Sequence, residues 1–193
     1  MSMVVAEGLM THEEFMALPE DGTERMLIRG KLWEKPMTRR NRHHSRIEAE
    51  IAFLLKAWLK SQSEPQGEVY SGEAGCRLSD DPASTVGIDV CYVSAETAAR
   101  EPEETSLIDG PPILAVEILS PSDKQEEIDA KLQAYLAAGV QLVWIVNPVM
   151  ETVTVYRPNA KPQIFSGDDR IDDQTHLPGF QVTANSIFHR SDT

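Results

Sequence analysis

The run Ile113-Leu114-Ala115-Val116-Glu117-Ile118-Leu119 is apolar at every position but one. A short continuous apolar run predicts a strand covered on both faces, because neither face offers polar side chains to water. Such strands sit in the middle of sheets flanked by helices, so this segment alone directs the chain toward a layered α/β architecture. It also poses a chemical problem. An ionised carboxylate inside such a strand is costly unless a cation or metal stands beside it, or its pKa shifts until it is neutral.

A second segment poses the same problem. In Ile88-Asp89-Val90-Cys91-Tyr92-Val93 an acid opens an apolar strand. Two acids on neighbouring strands of one sheet, facing the same way, form a site for a hard divalent cation such as Mg²⁺, which prefers oxygen ligands. The alternative is structural: Glu117 is simply paired with a lysine or arginine in the core.

The remaining chain supplies the layers. Thr11 with Glu14 forms a capping box for a short helix over Thr11–Leu18. Arg29-Gly30 between apolar flanks predicts a tight hairpin. Ile47, Ile51, Leu54, Leu55, Trp58 and Leu59 recur at helical spacing within 42–60, so that helix has one apolar face. Strands are expected over 68–78 and 87–94. Ser120-Pro121-Ser122-Asp123 reads as turn and N-cap chemistry opening a helix from Asp123 to Ala138, stopped by Gly139. Strands over 140–146 and 152–156 form a hairpin, and short strands near Ile164 and Phe180–Val182 finish the chain. The order predicts one mixed α/β domain over residues 1–193, with a central mixed β-sheet flanked by α-helices, an N-terminal helix and a β-hairpin.

Helical spacing places further polar groups. Ile128, Leu132, Tyr135 and Leu136 mark the buried stripe of the 123–138 helix, and Lys131 borders it. From there its ammonium reaches toward Glu117, or else snorkels to water. Tyr135 packs in the core with its hydroxyl on a polar partner. His44 shares the inward face of the 42–60 helix, as a core histidine or a neighbour of the acids, with Glu48 one turn on.

Composition narrows the partners. The formal net charge of −13 excludes a general nucleic-acid coat, whose affinity rests on Lys and Arg neutralising phosphates. Any nucleic-acid contact then depends on a bound metal or a local basic patch. The dense basic cluster Arg39, Arg40, Arg42 and Arg46 is the candidate for phosphates, with a solvated loop as the alternative. Cys76 and Cys91 lack metal-ligand spacing and read as free thiols of a reducing cytoplasm. No apolar stretch is long enough for a membrane helix, and no export signal is expected.

Taken in order, Val116-Glu117, Ser120-Pro121-Ser122, Lys131, Tyr135, Gly139-Val140 and Asn147-Pro148 resemble the signature of the Uma-type restriction endonuclease family of bacteria. Leu27–Leu32, His44, the Asp89 strand and Leu177-Pro178-Gly179-Phe180 through Phe188 extend the resemblance over nearly the whole chain. It implies a restriction-endonuclease-like core of the PD-(D/E)XK type and a Mg²⁺-dependent, or Mn²⁺-dependent, endonuclease with DNA the favoured substrate. Asp89 and Glu117 would hold the metal with the backbone carbonyl of Ile118. Leu119 stands where the superfamily's lysine is usual, and Lys131 takes its place. His44, Glu48, Tyr135 and Ser120 become supporting residues. A homodimer follows by analogy with nucleases that cut both strands. Two departures stand out: Arg29 replaces the hairpin aspartate, and Met26 stands where an acid is common. These, with the net charge, support the alternative of an inactive nuclease-fold protein serving protein interaction or dimerisation.

Overall fold

The structure is a computed structural model that describes residues 3–4, 8–37, 41–63, 66–100 and 106–189. Strand β1 (Met3–Val4) precedes helix α1 (His12–Met16), whose N-cap Thr11 forms the expected capping box with Glu14. Strands β2 (Thr23–Ile28) and β3 (Lys31–Pro36) form the expected hairpin. Its turn needs two positive-φ residues, and Arg29 (φ 51°) and Gly30 (φ 74°) provide them.

Helix α2 (Arg42–Leu59) begins at Asn41, whose side chain accepts from the N–H groups of His43 and His44. It buries Ile47, Ile51, Leu55, Trp58 and Leu59, each contributing roughly 1.5–3 kcal/mol. Strands β4 (Glu68–Asp80) and β5 (Ala83–Val93) then form one long hairpin, well beyond the two short strands expected from sequence. A bulge between Ser71 and Ala74 interrupts its register.

Helix α3 (Ala95–Ala98), strand β6 (Ile108–Asp109) and the apolar strand β7 (Leu114–Ile118) follow. Helix α4 (Gln125–Ala138) starts later than expected. Lys124 is its N-cap and makes no side-chain cap bond. Asp123 instead accepts from the Ser120 N–H at 2.8 Å, so its carboxylate closes the preceding turn. Gly139, at φ 93°, ends the helix in the left-handed conformation. Strands β8 (Leu142–Asn147), β9 (Thr152–Tyr156), β10 (Gln163–Ser166), β11 (Arg170–Asp173) and β12 (Leu177–Thr183) and helix α5 (Ala184–Phe188) complete the chain.

Among the described residues, ten strands make one mixed sheet. Its main path is β1-β3-β2-β5-β7-β8-β9-β10, with β4 paired to β5 off this path and β6 paired to β4. Strand β7 lies at the centre, antiparallel to β5 and parallel to β8. Helix α2, α5 and the β11–β12 pair cover one side with Trp58, Phe180 and Ile187 against Val90, Val116 and Trp144. Helix α4 covers the other with Ala134 and Tyr135 against Ala115, Cys91 and Val143. The covered central strand is thus what its unbroken apolar run predicts.

Candidate active site

The site forms where β5 and β7 stop pairing. Their register runs from Tyr92↔Leu114 to Val90↔Val116, and Asp89 is the next residue out. Its side chain takes over from the main chain: Oδ2 accepts the Ile118 N–H at 2.7 Å. His44, itself 1% exposed on α2, sets Nε2 at 3.3 Å from the same oxygen. Its Nδ1 lies 3.6 Å from Glu48 Oε2.

The ligand atoms of His44, Glu48 and Asp89 fall within 4.8 Å of one another. The two ring nitrogens, however, face different carboxylates. The imidazole is therefore a strut between Glu48 and Asp89, not one corner of a cage around one ion. Burial pushes the Asp89 pKa up. The hydrogen bond and charge of His44, the Ile118 amide and the Lys131 charge outweigh it and hold that carboxyl below its usual range.

Glu117 belongs to the α4 side. Lys131 donates to its Oε2 at 2.6 Å and to the Gly87 carbonyl at 2.9 Å. The Tyr135 hydroxyl donates to Oε1. Lys131 thus does not snorkel, and Tyr135 is a core ring with a polar partner. Burial is the main force raising the Glu117 pKa, and the Asp89 charge adds to it against the pull of Lys131 and Tyr135. Burial beside that carboxylate raises Tyr135 well above the usual phenol range. Burial also lifts the Cys91 thiol to about 12 and raises Cys76, so both remain thiols and offer no thiolate ligand.

Asp89, Glu117, Ile118 and Lys131 line one cavity of about 450 Å³, with Gly87 on its wall and Met26 and Trp33 from the hairpin. The sequence-predicted set is brought together there, and His44, Glu48 and Tyr135 support it from behind. Ser120 is not brought in: its hydroxyl pairs with Ser122 at 2.7 Å. Arg42 is exposed at the start of α2, and Arg46 donates to the Phe188 carbonyl beside a separate groove lined by His43 and His189. Arg39 and Arg40 lie outside the described residues.

Sequence reasoning missed the charge of the cavity wall. Seven acids and three bases line it. Two of the bases are paired at the rim, Arg25 with Glu34 and Lys35 with Glu24, both at 2.8 Å. Glu73 also lines the cavity, and its carboxylate occupies the space a side chain at Gly87 would need. No periodicity marks Glu73, because it sits in the bulge of β4.

No curated protein matches the chain. Among solved structures, one described as a putative nuclease belonging to DUF820, from Anabaena variabilis ATCC 29413, matches with a TM-score of 0.76 and 25% identity. The match covers 93% of this chain and 97% of that one. The family model described as putative restriction endonuclease, Uma2, matches residues 12–185. The protein thus belongs to the Uma2 family, with Asp89, Glu117 and Lys131 gathered at the point where its two central strands part.

Proposed function

We propose that this protein is a divalent-cation-dependent nuclease that hydrolyses phosphodiester bonds in nucleic acid, with DNA as its substrate. The observation that carries the reading is that Asp89, Glu117 and Lys131 share one cavity at the parting of two central strands. Two buried acids, close enough for the charge of one to raise the pKa of the other, make a hard-oxygen donor set that a divalent cation relieves.

Asp89 and Glu117 would hold Mg²⁺ or Mn²⁺, together with the carbonyl of Ile118. Bound there, such a cation supplies Lewis acidity toward a phosphoryl oxygen and lowers the pKa of coordinated water. The chain's own residues do the rest. His44 and the Ile118 amide fix the Asp89 carboxylate, and Tyr135 fixes that of Glu117. Lys131 spends two of its three donors on Glu117 and Gly87, leaving one to orient water or to offset charge on the reacting phosphoryl group. The acidic wall makes the cation necessary for a polyanion to approach at all.

That same acidity favours the second reading, a nuclease-fold protein that binds a partner and cuts nothing. Incubation of supercoiled plasmid with Mg²⁺ or Mn²⁺ separates the two. The nuclease reading expects nicked or linear product that chelator and Glu117→Ala both abolish. Direct linearisation would point to a homodimer acting on both strands. An intact plasmid under every divalent ion, or equal cleavage by Glu117→Ala, overturns the assignment.

A further inference from the structure

We infer that the cavity takes up one unstacked nucleobase beside the metal site, with Trp33 and Met26 as the wall that recognises it. The inference rests on the nuclease reading above and names its substrate as an unpaired strand, free or opened from a duplex. The sheet itself makes the room. Strand β4 pairs along one edge of β5 from Ala83 to Val93. Two strands share the other edge: β2 takes it at Thr85, and β7 takes it from Val90 to Tyr92. Between them, among the described residues, the edge of 86–89 has no strand partner. Five extended residues separate Thr85 from Val90, so the gap spans about 16 Å. Asp89 and Glu117 stand at its β7 end, and Lys131 reaches Gly87 inside it. The β2–β3 hairpin closes its other end. Met26 and Trp33 are directly opposite in that hairpin, so both side chains share one face, and both line the cavity.

Three further observations select a nucleobase as the guest. The first is an orphan donor. Trp33 is 8% exposed, and its Nε1–H is buried with no acceptor among the described residues. Buried donors are almost always satisfied, because leaving one unmade is costly. A ring nitrogen or carbonyl of a nucleobase supplies the acceptor, as an aliphatic guest does not. The second is size and surface. At about 450 Å³ the cavity exceeds the roughly 180 Å³ of a cation's six-water shell. Phe15 and Leu107 add apolar wall to Met26 and Trp33, while the hairpin's charges pair with each other, Arg25 with Glu34 and Lys35 with Glu24. The third is charge. The acidic wall and the net charge of −13 leave little affinity for phosphates, and Arg46 is held by the Phe188 carbonyl. Contact with the flat face and polar edge of a base is the remaining source of affinity, and it is open only to a base outside the duplex stack.

The test titrates deoxyadenosine and thymidine, which carry no phosphate, into the protein in the presence of chelator. Of the three tryptophans only Trp33 lines the cavity, while Trp58 and Trp144 pack in the core beneath α2. Saturable quenching of tryptophan emission is expected, with saturation transfer to the base protons in NMR. Trp33→Phe should abolish the quenching and weaken binding in NMR by about 2- to 10-fold, the loss of one neutral hydrogen bond. Met26→Ala keeps the reporter and should weaken binding too, which carries the test should Trp33→Phe not fold. With Mn²⁺, a single-stranded oligonucleotide should be cut at least about 10-fold faster than the same sequence in a duplex, and one abasic residue should suppress the cut beside it. No binding of either nucleoside overturns the inference and leaves the nuclease reading standing. Equal cutting of duplex and single strand overturns it as well. So does displacement of the nucleosides by cyclohexanol at like concentration, which would show an unselective apolar cavity. Nucleoside binding without cleavage of any substrate keeps the base site and overturns the nuclease reading.

Discussion

Glu117→Gln separates a metal site from a structural ion pair. The substitution keeps the volume of the side chain and an acceptor for the Tyr135 hydroxyl. It turns an amide toward Lys131 and removes a charge-assisted hydrogen bond worth about 1.5–3 kcal/mol. Lys131 keeps the Gly87 carbonyl and, with its side chain 15% exposed, some water. Against that loss stands the relief of no longer burying a carboxylate beside Asp89, and exchanging such pairs for neutral groups is often close to neutral. The two effects are of similar size, so stability at pH 7 should change by no more than about 1 kcal/mol, roughly 2–4 °C in melting temperature. The effect has a pH signature. The folded-state pKa of Glu117 lies above the ordinary 4.5, so its protonated form favours folding. Its contribution is present below 4.5 and is lost as pH rises through the raised value. The variant lacks that loss, so its melting temperature should gain on wild type over this range and converge with it below. Melts from pH 4 to 8, with and without Mn²⁺, read both effects. A loss exceeding about 2 kcal/mol at pH 7, with stabilisation by Mn²⁺ intact, would refute the metal site and establish the ion pair.

Two further expectations concern the frame. Asp173 accepts from Arg157 and from the His176 amide, both at 2.9 Å, and these partners outweigh burial to hold its pKa below 3.8. Its stabilisation is therefore present above 3.8 and lost as pH falls through the lowered value; Asp173→Asn should cost about 1 kcal/mol at pH 7, with the difference closing in acid. Gly139→Ala forces a side chain into φ 93° at the end of α4 and should cost about 1 kcal/mol in chemical denaturation.

Much of the site was legible because its residues break local patterns. Glu117 is the one acid in an apolar strand, whereas spacing alone left Lys131 open between that acid and water, and the family resemblance singled it out. Tyr135 needed a polar partner and found that same acid. The β2–β3 turn was legible for a different reason, since Arg-Gly between apolar flanks admits few backbone conformations. What was illegible depends on competition or on distance. Asp123 is a good capping residue, but its carboxylate satisfies the nearer Ser120 amide, so α4 starts later. The bulge that aims Glu73 arises from the pairing of β4 with β5, and neither strand announces it alone. His44 was placed on an inward face, but its partner Asp89 is 45 positions away and only the folded chain brings them together. The basic cluster was legible as charge, while Arg46 turned out to hold the carbonyl of Phe188.

The bond from Asp89 to the Ile118 amide bears on how this protein can be switched off in the laboratory. That carboxylate acts as one more rung of the ladder between β5 and β7, so cutting it back to alanine unzips the sheet next to the cavity. A silent Asp89→Ala protein would then report damage and lost chemistry together. Asp89→Asn retains an oxygen for the amide, and Glu117 carries no such rung among its described bonds. The cleaner knock-out at each position is therefore the amide, which keeps an acceptor for the Ile118 N–H at Asp89 and for the Tyr135 hydroxyl at Glu117.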